Sequence, residues 1–163
     1  MSATSAETLD ELDLEILRIL VEDCRKSARE IARELGKSPT TIAKRLKKLE
    51  EMGILKTCRA EIDLEKLGYG ITALILLNVD GAHIEEVEKE LAKEKNVRIV
   101  YDITGDFDVA LVAMFKSVRE LDRFVKKVLR NPYVKRSVTS VVFRAVKDIP
   151  FVEFWRSDEG TYS

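Results

Sequence analysis

The amino-acid sequence predicts an α+β protein built from two parts. Residues 1–56 carry the capping signals of three short helices, and residues 69–149 alternate apolar strand-like runs with amphipathic helices in the order βαββαβ. Basic residues are concentrated in the first of these parts. A connecting strand or linker over residues 57–68 and a C-terminal tail over residues 150–163 complete the predicted organisation.

The composition is that of a globular protein. Of the 163 residues, 45% are hydrophobic and 35% are charged, which excludes a disordered or fibrous chain. The longest apolar run, Ile71–Leu77, falls far short of the roughly 20 residues that a membrane helix needs. Residues Met1–Glu7 lack the basic start and apolar stretch of a signal peptide. We therefore expect a cytoplasmic protein that does not enter a membrane.

The cysteine and histidine content argues against metal or nucleophilic chemistry. Cys24 and Cys58 alone cannot form a disulfide framework or a zinc site, and His83 is the one histidine. Cys–His or Ser–His catalysis would have to use that imidazole, which we interpret as an ordinary residue at a helix start. We expect no metal, no cofactor and no catalytic residue. Glutamine is absent and charged residues abound, a bias typical of thermophiles.

The charge is unevenly distributed along the chain. From Arg25 to Lys48, nine basic residues stand against two acidic ones, a net charge of +7. The rest of the chain has 19 basic and 27 acidic residues, a net charge of −8. A basic segment joined to an acidic remainder is expected when a DNA-binding part is attached to a part with another task. A solvated helix face would have the same composition, so the spacing of the residues has to decide.

The spacing in the first part predicts a helix-turn-helix. Each of three amphipathic stretches begins at a residue that favours the N-cap, and the second ends at a glycine suited to a C-terminal cap. The tight turn between the second and third helices is typical of the motif. The predicted N-caps are Asp10, with Asp13 as its capping partner, then Ser27, with Glu30, and Ser38. The helices end near Asp23, Gly36 and Gly53.

The third helix is the predicted recognition helix. Ile42, Leu46 and Leu49 share one face, whereas the opposite face carries threonines and lysines with no acid before Glu51. Such a helix contacts base edges through its N-terminal residues and phosphates through its lysines. Arg45 flanks the core and either contacts DNA or holds the domain together. The predicted groove residues are Ser38, Thr40, Thr41 and Lys44, and the predicted backbone contacts are Lys37, Lys47 and Lys48. A helical bundle with a cationic surface is the alternative.

Residues after the third helix predict a strand, a boundary and then the βαββαβ module. Alternation predicts a strand over Ile54–Ile62, and two glycines mark a boundary within Asp63–Gly70. The module's predicted strands are Ile71–Val79, Val97–Ile103, Phe107–Phe115 and Val134–Val146, and its predicted helices are Ala82–Lys95 and Val118–Val128.

A ferredoxin-like sheet carries both helices on one face and leaves the other uncovered. Because the predicted strands are apolar on both sides, we expect the second face to be buried as well. A second copy related by two-fold symmetry would cover it, as in a homodimer. The C-terminal tail, with Phe151, Phe154 and Trp155, is an alternative cover.

These segments resemble one family over residues 9 to 149. The helix-turn-helix "SAREIARELGKSPTTIAKRLKKLEEMGILK", the connection "AEID…LGY" and the module with "TGDFD" are similar to the Lrp/AsnC (feast/famine) regulators. Cys58, where relatives usually have an aromatic residue, and Leu64, where proline is common, depart from the pattern. The resemblance implies a winged-helix-like DNA-binding domain and a ligand-sensing domain.

The resemblance also implies assembly and an effector. It implies a dimer formed by sheet-on-sheet pairing, often assembled into larger even-numbered rings such as an octamer. A small effector, commonly an amino acid, would bind between protomers of neighbouring dimers near the Gly105-x-x-Asp108 turn. Such a turn presents N–H donors to a carboxylate, and Asp106 or Asp108 would accept from an ammonium group, although Gly-Asp is also a common hairpin connection. The implied effector residues are Asp102, Thr104, Gly105, Asp106, Phe107, Asp108, Val118, Ser140, Val141 and Val142.

The leading hypothesis is a sequence-specific regulator of transcription that binds double-stranded DNA and responds to a small effector. An architectural DNA-binding protein without an effector is the first alternative. An enzyme similar to tetrapyrrole-processing decarboxylases is the second, and we disfavour it because the module has a single histidine while the recognition face is intact. We therefore expect a protein that is not an enzyme.

Overall fold

The structure is a computed structural model that describes residues 9–149 together with Val152 and Phe154. The described residues divide into two compact units: Leu9–Glu61 together with Ile149, Val152 and Phe154, and Ile62–Asp148. The expectations for the N-terminal residues Met1–Glu7 and for the tail residues Phe151 and Trp155 lie outside the described residues.

The first unit contains the three predicted helices. They are α1 (Glu11–Glu22), α2 (Ala28–Leu35) and α3 (Pro39–Glu51). Asp10 and Ser27 each form the reciprocal capping box that the sequence predicts, and Gly36 ends α2 in the left-handed conformation. One core joins the three helices: Ile16, Leu17, Ile19, Ile31, Ala32, Ile42 and Leu49 are its buried residues.

The strand expected over Ile54–Ile62 is absent, so this prediction is wrong. The backbone N–H of Ile54 bonds to the carbonyl of Leu49, 3.0 Å away, in the last turn after α3. A strand is stable only when a neighbour accepts and donates its hydrogen bonds, and no strand within the described residues pairs with this segment. The alternation in the sequence therefore indicated a local preference for extended backbone, but within the described residues no neighbouring strand is present to form a sheet with this segment.

The second unit has the predicted order βαββαβ. Its elements are β1 (Ile71–Val79), a 3-10 turn (Gly81–His83), α4 (Ile84–Leu91), β2 (Val97–Asp102), β3 (Val109–Phe115), α5 (Val118–Val128) and β4 (Val134–Val141). The strands form one antiparallel sheet in the order β2-β3-β1-β4. The last strand ends at Val141 instead of the predicted Val146. The N–H of Val142 still bonds to Thr72, but β1 begins at Ile71 and offers no partner beyond it.

The two faces of the sheet differ in burial. Alternate residues of β1 and β3, such as Ile75 and Leu111, pack with α4 and α5 into a buried core. The intervening residues form the face away from that core, which we call the open face. It is mainly apolar, and Leu74 and Tyr101 on it are 38% and 58% exposed. Its apolar members are Leu74, Leu76, Ile99, Tyr101, Ala110, Val112, Met114 and Val138.

Candidate nucleic-acid interface and effector turn

The start of α3 is fixed by its own first turn. The hydroxyl of Ser38 accepts a hydrogen bond from the N–H of Thr41 at 3.1 Å and lies 2.8 Å from the hydroxyl of Thr41. Pro39 follows in the first turn, which contains no acidic residue. Ser38 and Thr41 cap the helix, so their hydroxyl groups are already bonded. Of the predicted groove residues, Thr40 and Lys44 have side chains that form no hydrogen bond and no ion pair within the described residues.

The side of α3 away from the core is exposed and cationic. Lys37, Thr40 and Lys44 are exposed, and within the part of the chain that the structure describes neither lysine forms an ion pair. Lys47 is also exposed and lies 3.6 Å from the carboxylate of Glu51, one helical turn further on. An exposed pair of this kind contributes little and is easily exchanged for another anion. This surface therefore offers free positive charge at the N-terminal half of α3.

Two other basic side chains of α3 hold the domain together. One guanidinium nitrogen of Arg45 lies 2.6 Å from Asp10 and 3.2 Å from Asp13, and the ammonium of Lys48 lies 3.4 Å from Asp13. Asp13 is fully buried. A bond from the backbone N–H of Asp13, assisted by Arg45, lowers the pKa of Asp10. Of the two roles that the sequence left open for Arg45, these contacts favour the structural one.

The Gly105–Asp108 turn is tied to the end of β1. The carboxylate of Asp108 accepts a hydrogen bond from the N–H of Val79 at 2.8 Å, and the N–H of Asp108 donates to Leu77 at 2.9 Å. Gly105 has a φ of 115°, which favours glycine. One carboxylate oxygen of Asp108 thus has a structural partner, whereas Thr104 and Asp106 are exposed.

Beside this turn lies a cation that sequence reasoning missed. The guanidinium of Arg136, on β4, stands 5.6 Å from the centre of the Phe107 ring. Within the described residues Arg136 has no ion pair. An exposed arginine is common on an edge strand, so the sequence contained no signal that separated it from other surface cations.

The predicted effector residues fall into two groups at opposite ends of the sheet. Asp102 and the turn lie where β1 ends, whereas β4 residues 140–142 pair with its first residues and α5 begins near them. Thr72 and Leu77 are five residues apart in β1, which is about 17 Å in a strand. The group at the start of β1 comprises Ser140, Val141, Val142 and Val118, the last 70% exposed. One protomer therefore does not bring all of the predicted effector residues together.

Other titratable groups of the second unit have structural partners or like-charged neighbours. The Nδ1 atom of His83 lies 2.8 Å from Asp80, and its ring stacks on Tyr133 with centroids 3.6 Å apart. Hydrogen bonds from His83 and then Lys135 lower the pKa of Asp80. Burial, followed by the negative charge of Asp102, raises the pKa of Glu88.

Two properties concern the whole described part of the chain. Within it, no helix has the length and apolar character needed to cross a membrane. The same residues contain no cluster of three or more histidine, cysteine or acidic side chains arranged to hold a metal ion.

Family comparisons agree with this arrangement of a helix-turn-helix and a ligand-binding module. Residues 9–56 match the winged helix-turn-helix DNA-binding model, and residues 72–150 match the Lrp/AsnC ligand binding domain. An HTH-type transcriptional regulator of Pyrococcus furiosus is 42% identical over 140 residues, covering 86% of this chain and 95% of that protein. The regulator FL11 of Pyrococcus horikoshii is 36% identical, with coverages of 86% and 93%.

Solved structures give the same result. LrpC of B. subtilis is 30% identical with a TM-score of 0.79, covering 86% of this chain and 98% of that one. A Neisseria meningitidis regulator, whose structure is a complex with L-Met, is 28% identical with a TM-score of 0.82, covering 88% and 95%. The protein is a transcriptional regulator with a DNA-binding helix-turn-helix and a ligand-binding domain. It belongs to the Lrp/AsnC family.

Proposed function

We propose that this regulator binds specific sites in double-stranded DNA by inserting α3 into the major groove. The observation that carries the proposal is the exposed, acid-free first half of α3, with Lys37 and Lys44 free of ion pairs within the described residues. Thr40 and Lys44 would contact base edges, while Lys37 and Lys47 would contact phosphates. Arg45 would act as a positioning residue that holds α3 against α1. A DNA target also supports a cytoplasmic location.

The DNA-binding proposal is tested on DNA from upstream of the protein's own gene, located first by footprinting. Lys44→Ala should weaken binding by about tenfold and reduce the dependence on salt by roughly one released ion. Lys89→Ala is the matched control because Lys89 is an exposed lysine in the second unit. Equal loss of affinity in both variants would overturn the placement of α3.

We infer that the open face of the sheet is covered by a second copy of the chain. A mainly apolar face with Leu74 and Tyr101 substantially exposed supports a two-fold, self-complementary contact. Leu76→Glu, a charge introduced on this face, should convert a dimer or octamer into monomers in light scattering. Leu129→Glu, at the end of α5, is the control because Leu129 is a leucine outside the open face with 46% exposure. A Leu76→Glu dimer would overturn the inference.

We infer that a small effector, with an amino acid as the first candidate class, binds between protomers. Two features support this inference. The predicted effector residues are split between opposite ends of the sheet, and the solved structure of a similar regulator is a complex with L-Met. A neighbouring protomer would supply the group that one protomer lacks. Binding there would shift the assembly and with it the spacing of the α3 helices.

The effector is sought by a thermal-shift screen with the twenty amino acids, beginning with L-methionine. Asp106→Asn should remove the stabilisation because the exposed Asp106 carboxylate is proposed to hold the ammonium group, whereas Asp122→Asn on α5 should leave it unchanged. If an amino acid still raises the melting temperature of Asp106→Asn, its ammonium group is held by another residue. No shift with any amino acid, together with intact DNA binding, would favour the architectural alternative. We propose no enzymatic role, since His83 is already engaged by Asp80 and Tyr133.

A further inference from the structure

A disulfide that the sequence did not predict joins Cys24 to Cys58. Cys24 lies in the turn between α1 and α2, and Cys58 lies in the segment after α3, 34 positions along the chain. The bridge therefore closes a loop that contains both helices of the helix-turn-helix.

The bridge is the tether of the segment that leaves the DNA-binding unit. Residues 56–61 are exposed and have no regular secondary structure. Within the described residues they form no hydrogen bond and no ion pair, whereas the preceding residue, Leu55, still bonds to Leu49. Breaking the bond between Cys24 and Cys58 would leave this segment without a specific attachment to the helices.

The other end of the bridge is firmly held without it. The carboxylate of Asp23 accepts hydrogen bonds from the backbone N–H of Arg25 at 3.0 Å and from its guanidinium at 2.9 Å. Lys26 donates to the carbonyl of Asp23 and pairs with Glu34 at 2.7 Å. Reduction would therefore release the segment at Cys58 and leave the turn at Cys24 in place.

Cys58 is accessible to a reductant. Its side chain is exposed, and the neighbouring Lys56 and Arg59 are exposed cations without an ion pair in the described residues. Their positive charge favours the approach of an attacking thiolate. Disulfides in cytoplasmic proteins of mesophiles are usually redox-active, whereas those of hyperthermophiles are often structural. Here the side chain of Cys58 is exposed, and the disulfide is the one specific attachment of the exit segment within the described residues. Both features favour a redox-active role.

We propose that Cys24–Cys58 is a reversible redox site whose reduction by a cellular dithiol releases residues 56–61 and weakens binding to DNA. A thiolate of the dithiol attacks the sulfur of Cys58, the bond to Cys24 breaks, and Cys24 leaves as a thiolate that takes up a proton. The second thiol of the reductant then displaces Cys58. The dithiol loses two electrons and two protons and becomes a disulfide, and the protein gains two thiols.

The effect on DNA rests on the proposed binding of two half-sites by a dimer. A fixed exit segment limits the positions open to each α3, so that the second helix binds at a high effective concentration. A released segment enlarges that range and lowers the effective concentration. Binding to a single half-site does not depend on this effective concentration, so its affinity should not change.

The release of the segment is tested without DNA, by trypsin digestion of the full chain. Cleavage after Lys56 and Arg59 should become about tenfold faster when wild type is reduced with dithiothreitol, because a freed segment enters a protease more readily. Cys24→Ser and Cys58→Ser should be cleaved at the fast rate with or without the reductant, and circular dichroism checks their fold. Equal rates for oxidised and reduced wild type would overturn the proposal.

The DNA arm compares oxidised and reduced wild type on paired and single half-sites. Reduction should weaken binding to paired sites by about tenfold and leave single-site binding unchanged, as expected for a loss of effective concentration. Cys58→Ser should show no response to dithiothreitol. Unchanged binding to paired sites would overturn the regulatory role even if trypsin detects release. If the oxidised protein binds no DNA, the proposed function is refuted. The trypsin experiment uses no DNA, so it still tests whether reduction releases the segment.

Discussion

Lys44 and Arg45 are adjacent on α3 and carry the same charge, yet the structure gives them different surroundings. Lys44 is exposed and has no ion pair within the described residues, whereas Arg45 is half-buried and contacts both Asp10 and Asp13. Lys48 lies one helical turn after Lys44, but it belongs with Arg45 because its ammonium group also contacts Asp13. The cations of α3 therefore form an outward group toward DNA and an anchoring group that ties α3 to α1.

The difference teaches that charge and helical spacing do not by themselves identify a DNA contact. A cation already paired with a buried carboxylate must give up that partner before it binds a phosphate. A cation in solvent exchanges only water and mobile ions. The partner on a neighbouring helix, which lies more than thirty positions away for Arg45, decides between the two roles.

The largest expected effect is on stability, at the carboxylate shared by the anchoring group. Asp13→Ala removes the half of the capping box in which the Asp13 carboxylate accepts from the backbone N–H of Asp10, and it removes the buried carboxylate that Arg45 and Lys48 share. The free energy of unfolding should therefore fall by about 2 kcal/mol. Urea unfolding followed by circular dichroism measures this loss. Glu11→Ala, in the same turn, is the control because Glu11 is exposed. Equal stability of the two variants would mean that the anchoring group does not hold the helices together.

The next effect separates the two groups by DNA binding. Lys44→Ala should reduce the salt dependence of binding by about one ion, whereas Lys48→Ala should reduce it by less because Lys48 is held by Asp13. Fluorescence anisotropy over a series of salt concentrations gives both slopes. If both variants show the same dependence of DNA affinity on salt concentration, Lys44 and Lys48 do not belong to different groups.

A smaller effect follows from the geometry of Arg45. Arg45→Lys keeps the charge but replaces a planar guanidinium that reaches two carboxylates with a single ammonium group. We expect a lower melting temperature than wild type, by less than in Asp13→Ala, and an unchanged salt dependence of DNA binding. A reduced salt slope at an unchanged melting temperature would move Arg45 to the outward group.

The smallest effect is a pH dependence at Asp10. The bond from the N–H of Asp13, together with Arg45, holds its pKa below the ordinary value of 3.8. Since the folded state has the lower pKa, this contribution is present above that value and is lost as the pH falls through the folded pKa. Melting temperatures below pH 4 should therefore fall more steeply in wild type than in Asp10→Asn. Parallel curves would show that the carboxylate makes no such contribution.

Local signals in the sequence predicted most of the fold. Capping boxes at Asp10 and Ser27 and the continuous apolar run of β1 act over a few residues, so they predicted the helices and the βαββαβ order. The strand expected at Ile54–Ile62 failed because pairing depends on a distant neighbour. The disulfide was missed for the same reason, since proximity of Cys24 and Cys58 follows from how three helices pack.

The candidate site was predictable to a lesser extent. The exposure of Lys44 and Lys47 followed from the helical wheel, whereas the partners of Arg45 depend on the angle between α1 and α3. Only the strand pairing revealed that Ser140 lies beside Leu74 while Asp108 bonds to Val79, five residues further along β1.

The carboxylate-free first turn of α3 has a further consequence. Among the α-helices of the described residues, α1, α2, α4 and α5 each have an acidic side chain in the first turn, and α3 has none. The aligned peptide dipoles of a helix place a partial positive charge at its beginning, which a nearby acid would neutralise. In α3 that partial charge stays available to a phosphate, so the peptide backbone itself adds to the attraction that the lysines supply.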